Sequence, residues 1–178
     1  MLYKPIDAAG RFGDWREGLA PAVVALVAFP APSDQENGPR PRPCLVIDLV
    51  DFGGDRFALL ANGMGGRHGA RDRLDVDVDV TEPDEIAAAG CRRPWRFAGA
   101  QRLLISVETA RFVATASTGP LLGRLTGAAL RRFHIVRRGI AHETAAARAH
   151  QERRRSARIA GHDFVVEHRR PRRIRKKP

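Results

Sequence analysis

RPCLVIDLVDFGGDRFALLANGM, Arg42 to Met64, decides the architecture. Cys44 to Val50 is a short apolar run with β-branched Val46, Ile47 and Val50. Arg56 to Ala61 carries Phe57, Leu59 and Leu60, and Gly53-Gly54 lies between the two runs. Apolar runs this short, joined by a glycine pair, predict a β-hairpin rather than a helix. An Arg-Pro pair opens the hairpin and a Gly-rich loop, Asn62 to Gly69, closes it.

Upstream, AVVALVAF (Ala22 to Phe29) reads as a first strand ended by Pro30. Pro30 to Pro43 holds five prolines and polar residues, so it is a surface loop, either a binding loop or a plain connector. Residues 1–20 read as a loosely structured lead-in.

Downstream, RLDVDVDV (Arg73 to Val80) alternates strictly. Leu74, Val76, Val78 and Val80 fall on one face, and Asp75, Asp77 and Asp79 on a solvated one. The carboxylates do not suit calcium, because Val80 stands where a calcium loop needs glycine. Thr81 to Gly90 has helix chemistry, with Thr81 capping, Asp84 or Glu85 reaching back, and Gly90 as stop. Gln101 to Val107 is a further strand and Phe112 to Ala116 a short one. From Leu121 the period becomes helical: Leu122, Leu125, Ala129, Phe133, Val136 and Ile140 recur at spacings of three and four. The helix runs on past Gly139, an expected kink, into an Ala- and Arg-rich half. Phe164-Val165-Val166 reads as a short strand, and RRPRRIRKKP as a basic tail.

Charge is unevenly divided. Residues 1–119 hold 14 Lys+Arg against 16 Asp+Glu, and residues 120–178 hold 17 against 4. The last third is therefore strongly cationic, which points to a polyanion partner, nucleic acid being the commonest, or to a solvated tail. No apolar run is long enough for a transmembrane helix, and the first residues do not form a signal peptide. Cys44 and Cys91 fit two reduced, packed thiols in a cytoplasmic setting, and no Cys/His spacing suggests zinc.

VALVAFP (Val24–Pro30), RPCLVIDL (Arg42–Leu49), FALLANGMG (Phe57–Gly65) and PLLGRL (Pro120–Leu125) together resemble the PemK/MazF-like toxin–antitoxin endoribonucleases, over residues 20 to 140. The resemblance implies a mainly β fold, a small SH3-like barrel with a C-terminal helix over 21–140. To this the chain adds a long Arg-rich helix and basic tail over 141–178. It also implies a homodimer, an antitoxin protein as partner, and cleavage of single-stranded RNA without metal or other cofactor.

Under that resemblance Arg42 stabilises charge on the scissile phosphate, a role suited to a guanidinium. The family's loop Thr or Ser has no counterpart in Asn62-Gly63-Met64-Gly65-Gly66, so Asn62 as hydrogen-bond donor and His68 as acid or base take its place. Arg40, Arg67, Arg96, Arg131, Arg132, Arg169, Arg170, Arg172 and Arg173 are the candidate nucleic-acid contacts. Trp95, Arg96 and Phe97 either stack bases, or Trp95 and Phe97 fill core or dimer-interface positions. The alternatives to a nuclease are a non-catalytic nucleic-acid-binding protein of the same fold, and an assembly protein anchored by its basic tail.

Overall fold

The computed structural model describes residues 14–30, 38–66, 74–115, 119–152 and 164–168. The described chain is mainly β with a C-terminal helix. Its strands are β1 (Val23–Phe29), β2 (Arg40–Phe52), β3 (Asp55–Gly65), β4 (Asp77–Val80), β5 (Trp95–Ser106), β6 (Leu121–Arg124) and β7 (Phe164–His168). Its helices are α1 (Trp15–Gly18), α2 (Pro83–Ala88) and α3 (Gly127–Glu152). Among the described residues no helix is long and apolar enough to cross a membrane.

The hairpin expected from Arg42 to Met64 is the centre of one antiparallel sheet, ordered β4-β5-β3-β2-β1-β6. Gly53 (φ +64°) and Gly54 (φ +92°) make its turn, both in the left-handed region that two-residue hairpin turns require. The path is open. Its two ends, β4 and β6, are not paired with each other, so hydrogen bonding does not close a barrel among the described residues.

Strand β5 is bent. Asn62 pairs with Ala98, yet the next β3 residue, Ala61, pairs with Arg102, so Gly99, Ala100 and Gln101 are looped out against β3. An insertion of this kind kinks a strand and raises its twist. On its other edge β5 pairs with β4 over Trp95–Ala98 and with β7 over Gln101–Ile105.

Both faces of the sheet are covered. On one face Val24, Leu45, Ile47, Ala61 and Phe97 pack against Leu125, Ala129, Phe133, Val136 and Ile140. The last four of these belong to α3, and they are the helical spacing read from sequence. On the other face Val27, Cys44, Val46, Leu60, Leu103 and Ile105 pack together under Leu19 and Phe112. Leu19 follows directly on α1, so the end of the expected loose lead-in contributes to this core.

Three sequence expectations are corrected. Leu121–Arg124 is a strand, paired with β1, rather than the start of the helix. Leu122 packs into the α3 core from β6, which is why it fitted the helical spacing. The helix begins only at Gly127, whose φ of +54° turns the chain there, and it is continuous through Gly139. Second, Thr81 and Glu85 do not cap α2, whose N-cap is Glu82 without a side-chain bond. The buried Glu85 carboxylate instead accepts from the Ala128 and Ala129 N–H groups, satisfying free donors at the start of α3. Third, the aspartate face is solvated only at Asp75, which is exposed; Asp77 is 2 % exposed and Asp79 is ion-paired.

Candidate functional site

Strand pairing gathers the polar residues at the Arg-Pro end of the hairpin. Cys44 lies opposite Asn62, Asn62 opposite Ala98, and Ala98 opposite Asp77, a row crossing β2, β3, β5 and β4. The next row is Met64, Arg96 and Asp79. Directly opposed residues share a face, and so do residues two apart. Arg40, Arg42, Asn62, Asp77, Asp79 and Arg96 therefore all stand on the face away from α3, continuing the Cys44–Leu60 core outward.

Glycine makes this end close. A Cβ on Gly63 would overlap the Pro43 carbonyl oxygen, and Pro43 has no N–H with which to continue the β2–β3 ladder beyond Cys44. The Arg93 guanidinium lies across Gly65 and sits 5.6 Å from the centre of the Trp95 ring.

Arg40 is exposed and Arg42 half-buried. The Arg42 Nε donates to the Arg40 carbonyl at 3.4 Å. Arg96 is 2 % exposed, and its guanidinium grips Asp79 through Nε at 2.6 Å and a terminal nitrogen at 3.2 Å. Two parallel bonds of this kind are the strong geometry for an arginine–carboxylate pair. Read from sequence as a nucleic-acid contact, Arg96 is instead enclosed in the fold. Phe97 beside it is fully buried and Trp95 packs on the same core, as their core assignment required.

Asn62 is 3 % exposed, and its Nδ2 donates to Gln101 Oε1 at 2.6 Å. Among the described residues its Oδ1 makes no hydrogen bond within the geometric limits, and neither does Asp77 Oδ1, although the Gly99 N–H acts on the Asp77 carboxyl. The second Asp77 oxygen accepts from the Leu74 N–H at 2.9 Å. Burial pushes the Asp77 carboxyl up from its ordinary pKa, and the Asp79 charge adds to this. The Leu74 and Gly99 N–H groups and Arg96 oppose it without cancelling it.

No protein-family model, no curated protein and no solved structure matches this chain. What it can do rests on its own geometry.

The remaining candidate residues separate. Arg131 and Arg132 lie on α3, across the sheet from Arg42. Arg131 is exposed. Arg132 is tied to β4, donating from Nε to the Asp77 carbonyl at 3.1 Å and from a terminal nitrogen to the Asp75 carbonyl. Arg137 and Glu143 tie α3 down further, to Asp48 at 2.8 Å and to buried Arg102 at 3.8 Å. His68, Arg67, Arg169, Arg170, Arg172 and Arg173 lie outside the described residues.

Cys44 and Cys91 are free thiols. Burial pushes the Cys44 thiol up to about 12, against the pull of the Gly63 N–H and the Arg42 charge, and the Cys91 thiol up to about 11. Neither is a thiolate nucleophile near neutral pH. Among the described residues no three His, Cys, Asp or Glu side chains group as metal ligands.

Sequence reasoning missed Asp77, Asp79 and Gln101 as members of this polar set. One signal pointed there: Arg96 alternates with Phe97 in a strand, so if both sheet faces are covered Arg96 needs a carboxylate opposite it.

Proposed function

We propose that this protein binds single-stranded RNA on the face of the sheet that carries Arg40 and Arg42. The observation behind this is their placement two residues apart on one face, at the open end of β2. There two guanidinium groups can each take a phosphate. The resemblance to PemK/MazF-like proteins, whose Arg-Pro arginine meets the scissile phosphate, supports the same face. With it come an SH3-like barrel in the cytoplasm, a homodimer and an antitoxin protein as partner. Exposed Arg131 and Arg138 on α3 make no ion pair among the described residues, so they are available as further phosphate contacts on a second surface.

Binding leads over cleavage because of Asn62. Its amide donates to Gln101, so the group that stands in for the family's hydroxyl is turned inward. Cleavage is the second reading, favoured by Arg42 itself. In that reaction an RNA 2′-hydroxyl loses its proton to His68 and attacks the adjacent phosphorus, Arg42 stabilises the charge on the pentacovalent phosphorus, and the P–O5′ bond breaks to leave a 2′,3′-cyclic phosphate and a 5′-hydroxyl that takes up a proton.

One experiment separates them. Labelled single-stranded RNA is incubated in EDTA with the wild-type protein, Arg42→Ala and Arg40→Ala/Arg42→Ala, with circular dichroism verifying that each variant folds. Binding that weakens with salt, with a log–log slope about 1.4 shallower in the double variant, supports the binding face. Cutting by wild type but not by Arg42→Ala promotes the nuclease reading, and an all-DNA strand must then stay intact. Unchanged affinity in the double variant removes Arg40 and Arg42 from the interface.

A further inference from the structure

Helix α3 turns one side to the sheet and the other to solvent. At about 100° per residue, the core residues Ala129, Phe133, Val136 and Ile140 cluster on one side. Arg131, His134, Arg138 and His142 cluster on the opposite side, within an arc of about 80° and a rise of about 16 Å. All four are exposed, and their side chains make no hydrogen bond or ion pair among the described residues. The His134 ring meets only the edge of Phe133, at 5.5 Å. From Gly127 to Glu143 the helix has one acidic residue, Glu143, about 120° round from Arg131, where it pairs with buried Arg102 at 3.8 Å.

The carboxylates that other elements bring to α3 are committed elsewhere. Glu85 of α2 accepts from the Ala128 and Ala129 N–H groups, and Asp48 of β2 pairs with Arg137 at 2.8 Å. In β4, Asp79 holds Arg96 and Asp77 is shut in on the face away from α3. Exposed Asp75 lies beside Arg132 on the helix flank, and exposed Glu82 and Asp84 belong to the α2 segment that meets α3 at Ala128 and Ala129.

We propose that the outward face of α3 is a second RNA contact whose strength is set by pH: Arg131 and Arg138 hold phosphates throughout, and His134 and His142 join them once protonated. This rests on the RNA-binding reading and adds a regulated surface to it. Histidine is the side chain that ordinarily gains its charge between about pH 5 and 8. Protonation takes the face from two positive charges to four. His134 and His142 each stand four residues from Arg138, the spacing at which like charges on a helix repel. A phosphate chain laid along the face relieves that repulsion, so RNA and protons favour each other's binding.

The test is binding of a labelled oligouridylate to the full chain over a salt series, at about pH 7.5 and about pH 5.5. Wild type, His134→Gln/His142→Gln and Arg40→Ala/Arg42→Ala are compared, with circular dichroism verifying the fold at both pH values. Each further phosphate neutralised on a single strand steepens the log–log salt slope by about 0.7. On acidification the wild-type slope should therefore steepen by about 1.4 more than that of the histidine variant. The Arg40→Ala/Arg42→Ala variant should keep the wild-type steepening, because its loss lies on the other face. A histidine variant that steepens as much as wild type overturns the proposal and leaves Arg40 and Arg42 as RNA contacts. A wild type that binds no RNA at either pH overturns the proposal together with the RNA-binding reading.

Discussion

The β2–β3 hairpin has two ends of opposite character. At the turn, Asp51, Phe52, Asp55 and Arg56 are all exposed, Phe52 to 68 %. At the Arg-Pro end, Asn62, Asp77 and Arg96 are shut inside the fold. Charge at the turn is solvated and asks nothing of its neighbours. Charge at the other end has lost its water and must be matched group by group. Substitution should therefore be nearly silent at one end and severe at the other.

The largest effect belongs to Arg96→Ala. It strips Arg96 from Asp79 and removes a positive charge that acts on the Asp77 carboxyl, and should cost about 3 kcal/mol in urea denaturation. A loss under about 1 kcal/mol would mean that water reaches the pair and that the two ends are alike. Gly63→Ala comes next, at about 2–3 kcal/mol, because its methyl group would meet the Pro43 carbonyl oxygen. Gly54→Ala at the turn meets no atom within 4 Å, only its φ of +92°, and should cost about 1 kcal/mol.

Asp77→Asn sharpens the comparison through pH. Burial raises the carboxyl's folded pKa above its unfolded value of about 3.9. The folded state then binds the proton more tightly. Asp77's contribution is most favourable below the unfolded pKa and declines as pH rises through the folded one. Asparagine does not titrate. Asp77→Asn should therefore gain on the wild type between pH 4 and pH 7, measured as the difference in denaturation midpoints at each pH. A constant difference would show that Asp77 is not desolvated. The smallest effect is Phe52→Ser, expected within about 0.5 kcal/mol of wild type.

Much of the fold was legible because it depends on local pattern. The Gly53-Gly54 turn, the β1 run ending at Phe29, the stop at Gly90, the buried face of α3 and the short strand at Phe164 all carry their own signals. The errors lie where local pattern leaves the packing partner open. Alternation in a strand reports that there are two faces, not what covers each. Asp77 and Asp79 read as solvated because apolar residues alternate with them, yet this sheet is covered on both sides. Glu85 reads as a cap of its own helix because capping is ordinarily local, whereas it caps α3. The candidate site was legible only as far as Arg40, Arg42 and Asn62. Arg96 and Arg132 looked like surface cations, and only register and packing reveal the carboxylate and carbonyl groups they hold.

The shared outer edge of β5 has a consequence for synthesis. β4 precedes β5 in the chain and can cover Trp95–Ala98 as soon as β5 emerges. The partner of Gln101–Ile105 is β7, which leaves the ribosome only after all of α3. Throughout that interval a stretch of strand stands with its outer backbone groups unpaired, the template on which nascent chains join one another. Strand β7 is then the latch that retires this edge, and the time taken to translate from the end of β5 through β7 sets how long each new chain stays open to its neighbours.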